Sequence, residues 1–314
     1  MRTHGTAMLV ARLLVLAALV GLGVADPTVA PAQERLRVLA TLPDLWSITR
    51  ALVGELGDVQ VATRPGQNPH DLEIRPSQIL LVKRAEILVR NGLEEDAWID
   101  PVIESSGNPR LLRGSPSVVE AVRGLPVLKV RTGAVDRSLG DVHPSGNPHF
   151  TLDPGTAPVV TANIVAGLSQ LRPDLANRLE ANRRRFLDEV AAAAQRWTQT
   201  LAPYRGAPVV SYHDSWPYFY RAFGLEEVGI IEDRPGVPPS PQHLATLIRQ
   251  MRERGVKVVL VESWYQTDTP TAVARAAGAQ ILVVPQSPGA MKGTDTYIGH
   301  LDALVTAMAR ALAQ

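Results

Sequence analysis

The sequence predicts an α/β protein of two α/β lobes, with mainly parallel sheets, joined by one long helix. Three observations carry that expectation. The chain has 314 residues, long for one compact domain at roughly 100 to 200 residues each. Short apolar, β-prone runs alternate with segments of helical apolar spacing in both halves, the pattern of parallel strands with helical crossovers. Between the two alternating stretches, residues 173–201 read as a helix of about 40 Å at 1.5 Å per residue, enough to bridge two lobes. The divisions that follow are a signal peptide over 1–32, an N-terminal lobe over 33–172, the linking helix over 173–201 and a C-terminal lobe over 202–314.

The elements can be justified in order. Arg2, His4 and Arg12 precede an apolar run over 13–24, and small residues with Ala30-Pro31-Ala32 follow. This is the pattern of a secretory signal peptide; the run is shorter than the ~20 residues needed to span a bilayer. An uncleaved anchor is the alternative. In the first lobe, strands are expected over 36–41, 59–63 and 87–90, with helices over 44–56, 76–84 and from Glu95 to 103. Residues 64–70 and 91–93 carry proline or glycine and break regular structure. Residues 133–154, rich in glycine, proline and aspartate, form an expected binding loop, followed by a helix over 158–171. The long helix has a polar face with Arg183, Arg184 and Arg185, the mark of a solvated surface. The second lobe repeats the alternation. Strands are expected over 208–212, 227–231, 256–262 and 280–285; helices over 217–223, 241–254 and 270–277, with His300 in a final helix.

Composition narrows the function. A hydrophobic fraction of 45% with 20% charged residues is that of an ordinary globular protein. With 32 basic against 31 acidic residues, no excess positive field exists to gather nucleic acid. No cysteine is present, so thiolate ligands, disulfides and a lipid-modified cysteine are removed together. Any metal must be held by nitrogen and oxygen.

Seven histidines occur. Three share a setting: His70 after Asn68-Pro69, His149 after Asn147-Pro148, and His213 directly after the strand Pro208-Val209-Val210-Ser211-Tyr212. Loops at the carboxyl ends of parallel strands are where ligands meet such folds, so these imidazoles can converge. Three imidazole nitrogens and one carboxylate oxygen complete a tetrahedral zinc shell. Asp295 is the candidate carboxylate, preferred to Asp214, whose adjacency to His213 would strain simultaneous binding. His143, His243 and His300 read as bystanders or structural residues. Asn68, Asn147, Asp71, Asp214 and Glu262 are suited to accept from the ligating rings.

The motifs in order are Leu36-Arg37-Val38-Leu39-Ala40-Thr41, Asn68-Pro69-His70-Asp71-Leu72-Glu73 with Arg75-Pro76-Ser77, and Asn91-Gly92-Leu93-Glu94. Asn147-Pro148-His149-Phe150 with Leu152-Asp153-Pro154, Tyr212-His213-Asp214-Ser215-Trp216 and Thr294-Asp295-Thr296-Tyr297 complete the series. In these the chain resembles the solute-binding proteins of bacterial zinc and manganese ABC transporters, cluster A-I. The resemblance covers nearly all of the chain after the first 32 residues. It implies two lobes joined by a long helix, with His70 and His149 as first-lobe ligands and His213 and Asp295 as second-lobe ligands. The implied cargo is Zn(II), with Mn(II) as the alternative. The implied partner is the membrane permease of an ABC transporter, and the implied molecule is a soluble, periplasmic, non-enzymatic monomer. Histidine at 213 favours zinc, since manganese members commonly carry glutamate there and manganese prefers oxygen. The long histidine-rich loop of many zinc members is replaced here by a segment holding only His143. Competing readings are an exported zinc hydrolase, which would need an open coordination position and a general base, a metal store or adhesin, and a binder of an organic ligand. The hydrolase lacks a H-E-x-x-H helix, and an aromatic fraction of 5% disfavours the last.

Overall fold

The computed structural model describes residues 35–131 and 143–314. The expected signal peptide over 1–32 and part of the expected binding loop lie outside the described residues.

Parallel sheets covered on both faces demand strands apolar on both sides, and one inner strand of each sheet, over 87–90 and 258–262, is buried throughout. β1 (Leu36–Ala40), β2 (Gly57–Val61), β3 (Ile87–Arg90) and β4 (Val118–Glu120) form the first sheet in the order β2-β1-β3-β4. All of its pairings are parallel. Every residue of β3 is buried. α1 (Pro43–Val53), α2 (Pro76–Arg84) and α3 (Ile99–Ser106) are among its crossovers. The second sheet consists of β5 (Pro208–Ser211), β6 (Glu226–Ile230), β7 (Val258–Glu262) and β8 (Gln280–Val284), in the order β6-β5-β7-β8 and again all parallel. α6 (Pro217–Phe223), α7 (Pro241–Arg254) and α8 (Asp268–Ala277) connect its strands, and α9 (Tyr297–Leu312) closes the chain. Proline at the start of α1, α2, α6 and α7 presets φ where the missing N–H has no intrahelical partner to lose.

Between the sheets run α4 (Ala157–Leu171) and α5 (Ala176–Leu201), the latter entered through a tight turn at Pro173–Leu175. At 26 residues, α5 is about 39 Å long. Leu179, Phe186, Val190, Ala193, Trp197 and Leu201 form its one buried stripe, and the helix packs on α1, α4 and α9. Arg184 and Arg185 are exposed as expected, whereas Arg183 is half-buried and donates to the Pro158 carbonyl at 3.0 Å, fastening α5 to α4. A single apolar core runs from Leu36 through Trp197 to Ala311, so both sheets share it. Two smaller cores fill the outer faces, one between the first sheet and α2 and α3, the other between the second sheet and α7 and α8.

Both sheets reverse their winding direction beside their first strand, and in this architecture the ligand crevice opens at that reversal, beyond the strands' carboxyl ends. Two differences from the expected elements matter. β4 is an additional strand of three residues, too short to leave a periodic signal. The helix expected from Glu95 begins instead at Ile99, because residues 91–98 form turns, with Leu93 at φ 52° and Glu94 at φ 65°.

Candidate metal centre

The histidines arrive from loops that follow strand ends. His70 lies beyond β2, its backbone N–H donating to Asn68 Oδ1 at 3.1 Å. His213 lies two residues past β5. His149 ends the segment after His143, immediately before a tight turn at Phe150–Leu152. They converge: one ligand atom of each of His70, His149 and His213 lies within 4.8 Å of the others. The ring centroids are 5.1 Å apart for His70 and His213, 5.9 Å for His149 and His213, and 6.0 Å for His70 and His149.

Two of these rings are aimed by a partner on the far nitrogen. His213 Nδ1 sits 2.8 Å from Glu232 Oε2, while Glu232 Oε1 accepts the Gly236 N–H at 3.0 Å. His149 Nδ1 sits 3.1 Å from Asn147 Oδ1, which also accepts the His149 backbone N–H at 3.0 Å. Each acceptor places a proton on Nδ1 and leaves the lone pair on Nε2, the form a metal needs. Asn147 itself donates to the Asp214 carbonyl at 2.6 Å, and Asn91 donates to the Pro148 carbonyl at 3.1 Å. The loop of His149 is thus tied to those of His213 and Asn91.

The loop after β3 brings a carboxylate beside His70, His143 and His149. Glu95 Oε2 lies 3.6 Å from His70 Nε2 and 3.3 Å from His143 Nε2, and Glu95 Oε1 lies 4.0 Å from His149 Nε2. Its position is set beneath by Asp96. That carboxylate is fully buried and accepts from Thr41 Oγ1 at 2.7 Å, the Asn91 N–H at 2.5 Å and the buried Arg90 guanidinium at 3.3 Å. Residues held at positive φ cost free energy unless their surroundings fix them, and the Asp96 bonds supply that fixation for Leu93 and Glu94. The loop turns Glu95 inward as a result.

Burial pushes the His149 imidazole well below the ordinary histidine range, and the nearby His213, His70, His143 and Lys129 act in the same direction. It is therefore neutral at pH 7, as a ligand must be. His149 Nε2 and Glu95 Oε2 are buried without a hydrogen-bond partner among the described residues. Unsatisfied buried polar atoms are costly, and a divalent cation in this cleft would give such atoms a partner. The donor set fits such an ion. Two cavities flank it. A wider one of about 230 Å³ is lined by His143, His149, His213, Lys129 and Asp214. A narrow one of about 50 Å³ is lined by Glu95, His149, Asp44, Trp264 and Gln286.

A family model described as zinc-uptake complex component A, periplasmic, matches residues 38–311. The chain belongs to that family. The high-affinity zinc uptake system protein ZnuA of Yersinia pestis is 26% identical over 286 residues, spanning 85% of this chain and 88% of the relative. The zinc-binding protein AdcA of Streptococcus pyogenes serotype M18 is 23% identical over 269 residues, 83% of this chain. The match spans about half of that relative, 52% of its length. In fold, the chain is similar to a manganese-bound periplasmic metal-binding protein of Candidatus Liberibacter asiaticus, with a TM-score of 0.74 and 19% identity over 89% of this chain and 100% of the other. It is also similar to a crystal structure of ZnuA, with a TM-score of 0.72 and 23% identity over 88% and 99%.

Within this zinc-uptake family member, the fourth residue expected from sequence does not join the other three. Asp295 is exposed and lines a separate cavity with Ser47, Arg50, Glu189 and Tyr297. The segment around it is occupied with starting α9: Thr296 Oγ1 accepts the Gly299 N–H at 3.0 Å, and the Tyr297 N–H donates to Ser47 Oγ at 2.7 Å. Asp214 is engaged too, its Oδ1 2.6 Å from Lys129 Nζ. Among the described residues the carboxylate facing the Nε2 atoms of His70, His143 and His149 is Glu95, and His143 stands with it instead of apart: His70, Glu95 and His143 form a second group within 4.8 Å. Of the residues expected to hold the rings, Asn147 does so, Glu232 takes the place beside His213, and Glu262 accepts from Trp216 Nε1 at 2.9 Å. Glu95 follows the strand-breaking Asn91-Gly92 at the carboxyl end of β3, the same setting that singled out the histidines, and that was the signal available.

Proposed function

We propose that this chain is a periplasmic carrier that takes Zn(II) as cargo at His70, His149 and His213 and passes it to the membrane permease of an ABC transporter. The observation that carries the reading is the convergence of three imidazoles, two of them held by Nδ1 acceptors that leave Nε2 for the ion. Membership of the family and the names of its relatives support zinc as cargo and a permease as partner. Three nitrogen donors suit zinc better than manganese, although the oxygens of Glu95 give a manganese carrier one observation in its favour. A ligand group enclosed this far, with side-chain exposures of 11%, 9% and 5% for His70, His149 and His213, favours holding an ion over turning over a substrate. No helix among the described residues is long and apolar enough to cross a membrane.

Competition titration of the purified chain with a chromophoric chelator tests this. Wild type should bind one zinc, and His149→Ala should bind it at least 100-fold more weakly, on the order of the loss of one charge-assisted ligand bond at about 1.4 kcal/mol per decade. Equal zinc affinity in the two proteins would remove the assignment. Manganese binding as tight as zinc under the same conditions would transfer the reading to a manganese carrier.

A further inference from the structure

Two ligand groups share one residue in this cleft. His70 belongs both to the set with His149 and His213 and to the set with Glu95 and His143. It is nearly equidistant from the outer two: its ring centroid is 5.1 Å from that of His213 and 5.2 Å from that of His143. Glu95 also faces both ways, with Oε2 3.3 Å from His143 Nε2 and Oε1 4.0 Å from His149 Nε2. Around an ion with ligand bonds of roughly 2.0 to 2.2 Å, neighbouring donor atoms of a tetrahedron lie about 3.3 to 3.6 Å apart. The 3.3 Å and 3.6 Å separations from Glu95 Oε2 to His143 and His70 already match that edge. Two histidines and a carboxylate are a complete protein contribution to a divalent cation that keeps a water.

We propose that His70, Glu95 and His143 form a second cation position, overlapping the three-histidine one, through which a single divalent cation passes on its way in and out. The proposal rests on the three-histidine reading above. Because His70 is shared and two dications a few ångströms apart repel strongly, only one of the positions is filled at a time. His143 lines the wider cavity alongside His149 and His213, so an ion in that cavity meets His143 and the deeper ligands along one wall. The carboxylate follows the ion by exchanging one oxygen for the other, from Oε2 beside His143 to Oε1 beside His149.

Cobalt(II), whose visible absorption reports its ligands, is the probe. His213→Ala breaks only the first position, so it should still bind one Co(II) per chain, more weakly than wild type. Adding His143→Ala, or separately Glu95→Gln, should weaken that residual binding by at least tenfold, with far-UV circular dichroism confirming that each variant is folded. In wild type, one Co(II) should bind per chain, and stopped-flow uptake should slow about tenfold in His143→Ala alone. Residual binding in His213→Ala that ignores both further substitutions would overturn the second position. Two ions per wild-type chain would overturn mutual exclusion, and an unchanged uptake rate would overturn the passage. If instead His213→Ala binds Co(II) as tightly as wild type, the three-histidine reading is what falls.

Discussion

At the scale of single residues, what suits His213 to the proposed ligand role is Glu232, 2.8 Å from its Nδ1. The carboxylate fixes the ring's orientation and tautomer and makes Nε2 the more basic nitrogen. Glu232→Gln keeps the shape but can turn an N–H toward the ring and removes the charge, so zinc affinity should fall about 10- to 100-fold while the unfolding midpoint in urea stays close to wild type; isothermal titration in competition with a chelator reads the first and tryptophan fluorescence the second. The convergence of the three histidines is legible because strand-end placement is a local property of sequence. Glu232 is not, since it comes 19 residues after His213 and only the parallel pairing of β5 with β6 brings them together. Asp295 is a different case, exposed and apart from the three histidines in this structure. The segment Thr294-Asp295-Thr296-Tyr297 starts α9, where Thr296 supplies the cap and Tyr297 the anchor.

At the scale of elements, the turn between β3 and α3 decides where the cleft's carboxylate points. Helical spacing predicts that α3 begins at Glu95, whereas the turn before it holds Leu93 and Glu94 at positive φ and the buried Asp96 carboxylate bonds Arg90, Asn91 and Thr41 across that turn. No apolar periodicity reports a buried ion pair, so this was invisible in the sequence, whereas the glycine at 92, at φ 88°, was a legible break. Asp96→Ala leaves the buried Arg90 with Asp100 as its remaining carboxylate, Oδ1 at 2.9 Å, and frees a loop with two non-glycine residues at positive φ. Removing one partner of a buried pair costs about 3 kcal/mol or more. Urea unfolding should show that loss, and zinc affinity should fall with it because Glu95 is no longer held inward.

At the scale of the whole molecule, the alternation of strands and helices was readable throughout, and the long helix with it. The sharing of one apolar core by the two sheets was not, because it depends on which faces α1, α4, α5 and α9 turn toward each other. α9 buries a titratable group. His300, buried in α9, has Nε2 2.8 Å from the Pro285 carbonyl, and burial lowers its pKa from 6.5 to about 4. The unfolded chain therefore takes up this proton first as pH falls. Stability is fully present above pH 6.5 and is lost progressively toward pH 4, by about 2 kcal/mol between pH 7 and pH 5. His149, also lowered by burial, adds to the loss with the same sign. Urea unfolding of the metal-free protein should follow this slope, and His300→Gln, which can keep the bond to Pro285, should flatten it.

The most direct measurement is X-ray absorption at the zinc edge of the loaded protein, compared between wild type and His213→Ala. Three imidazole nitrogens at roughly 2.0 to 2.1 Å in wild type, falling to two in the variant with a carboxylate oxygen retained, is the expected result. A wild-type shell with fewer than three imidazoles, or one unchanged by His213→Ala, would contradict the site built here from His70, His149 and His213.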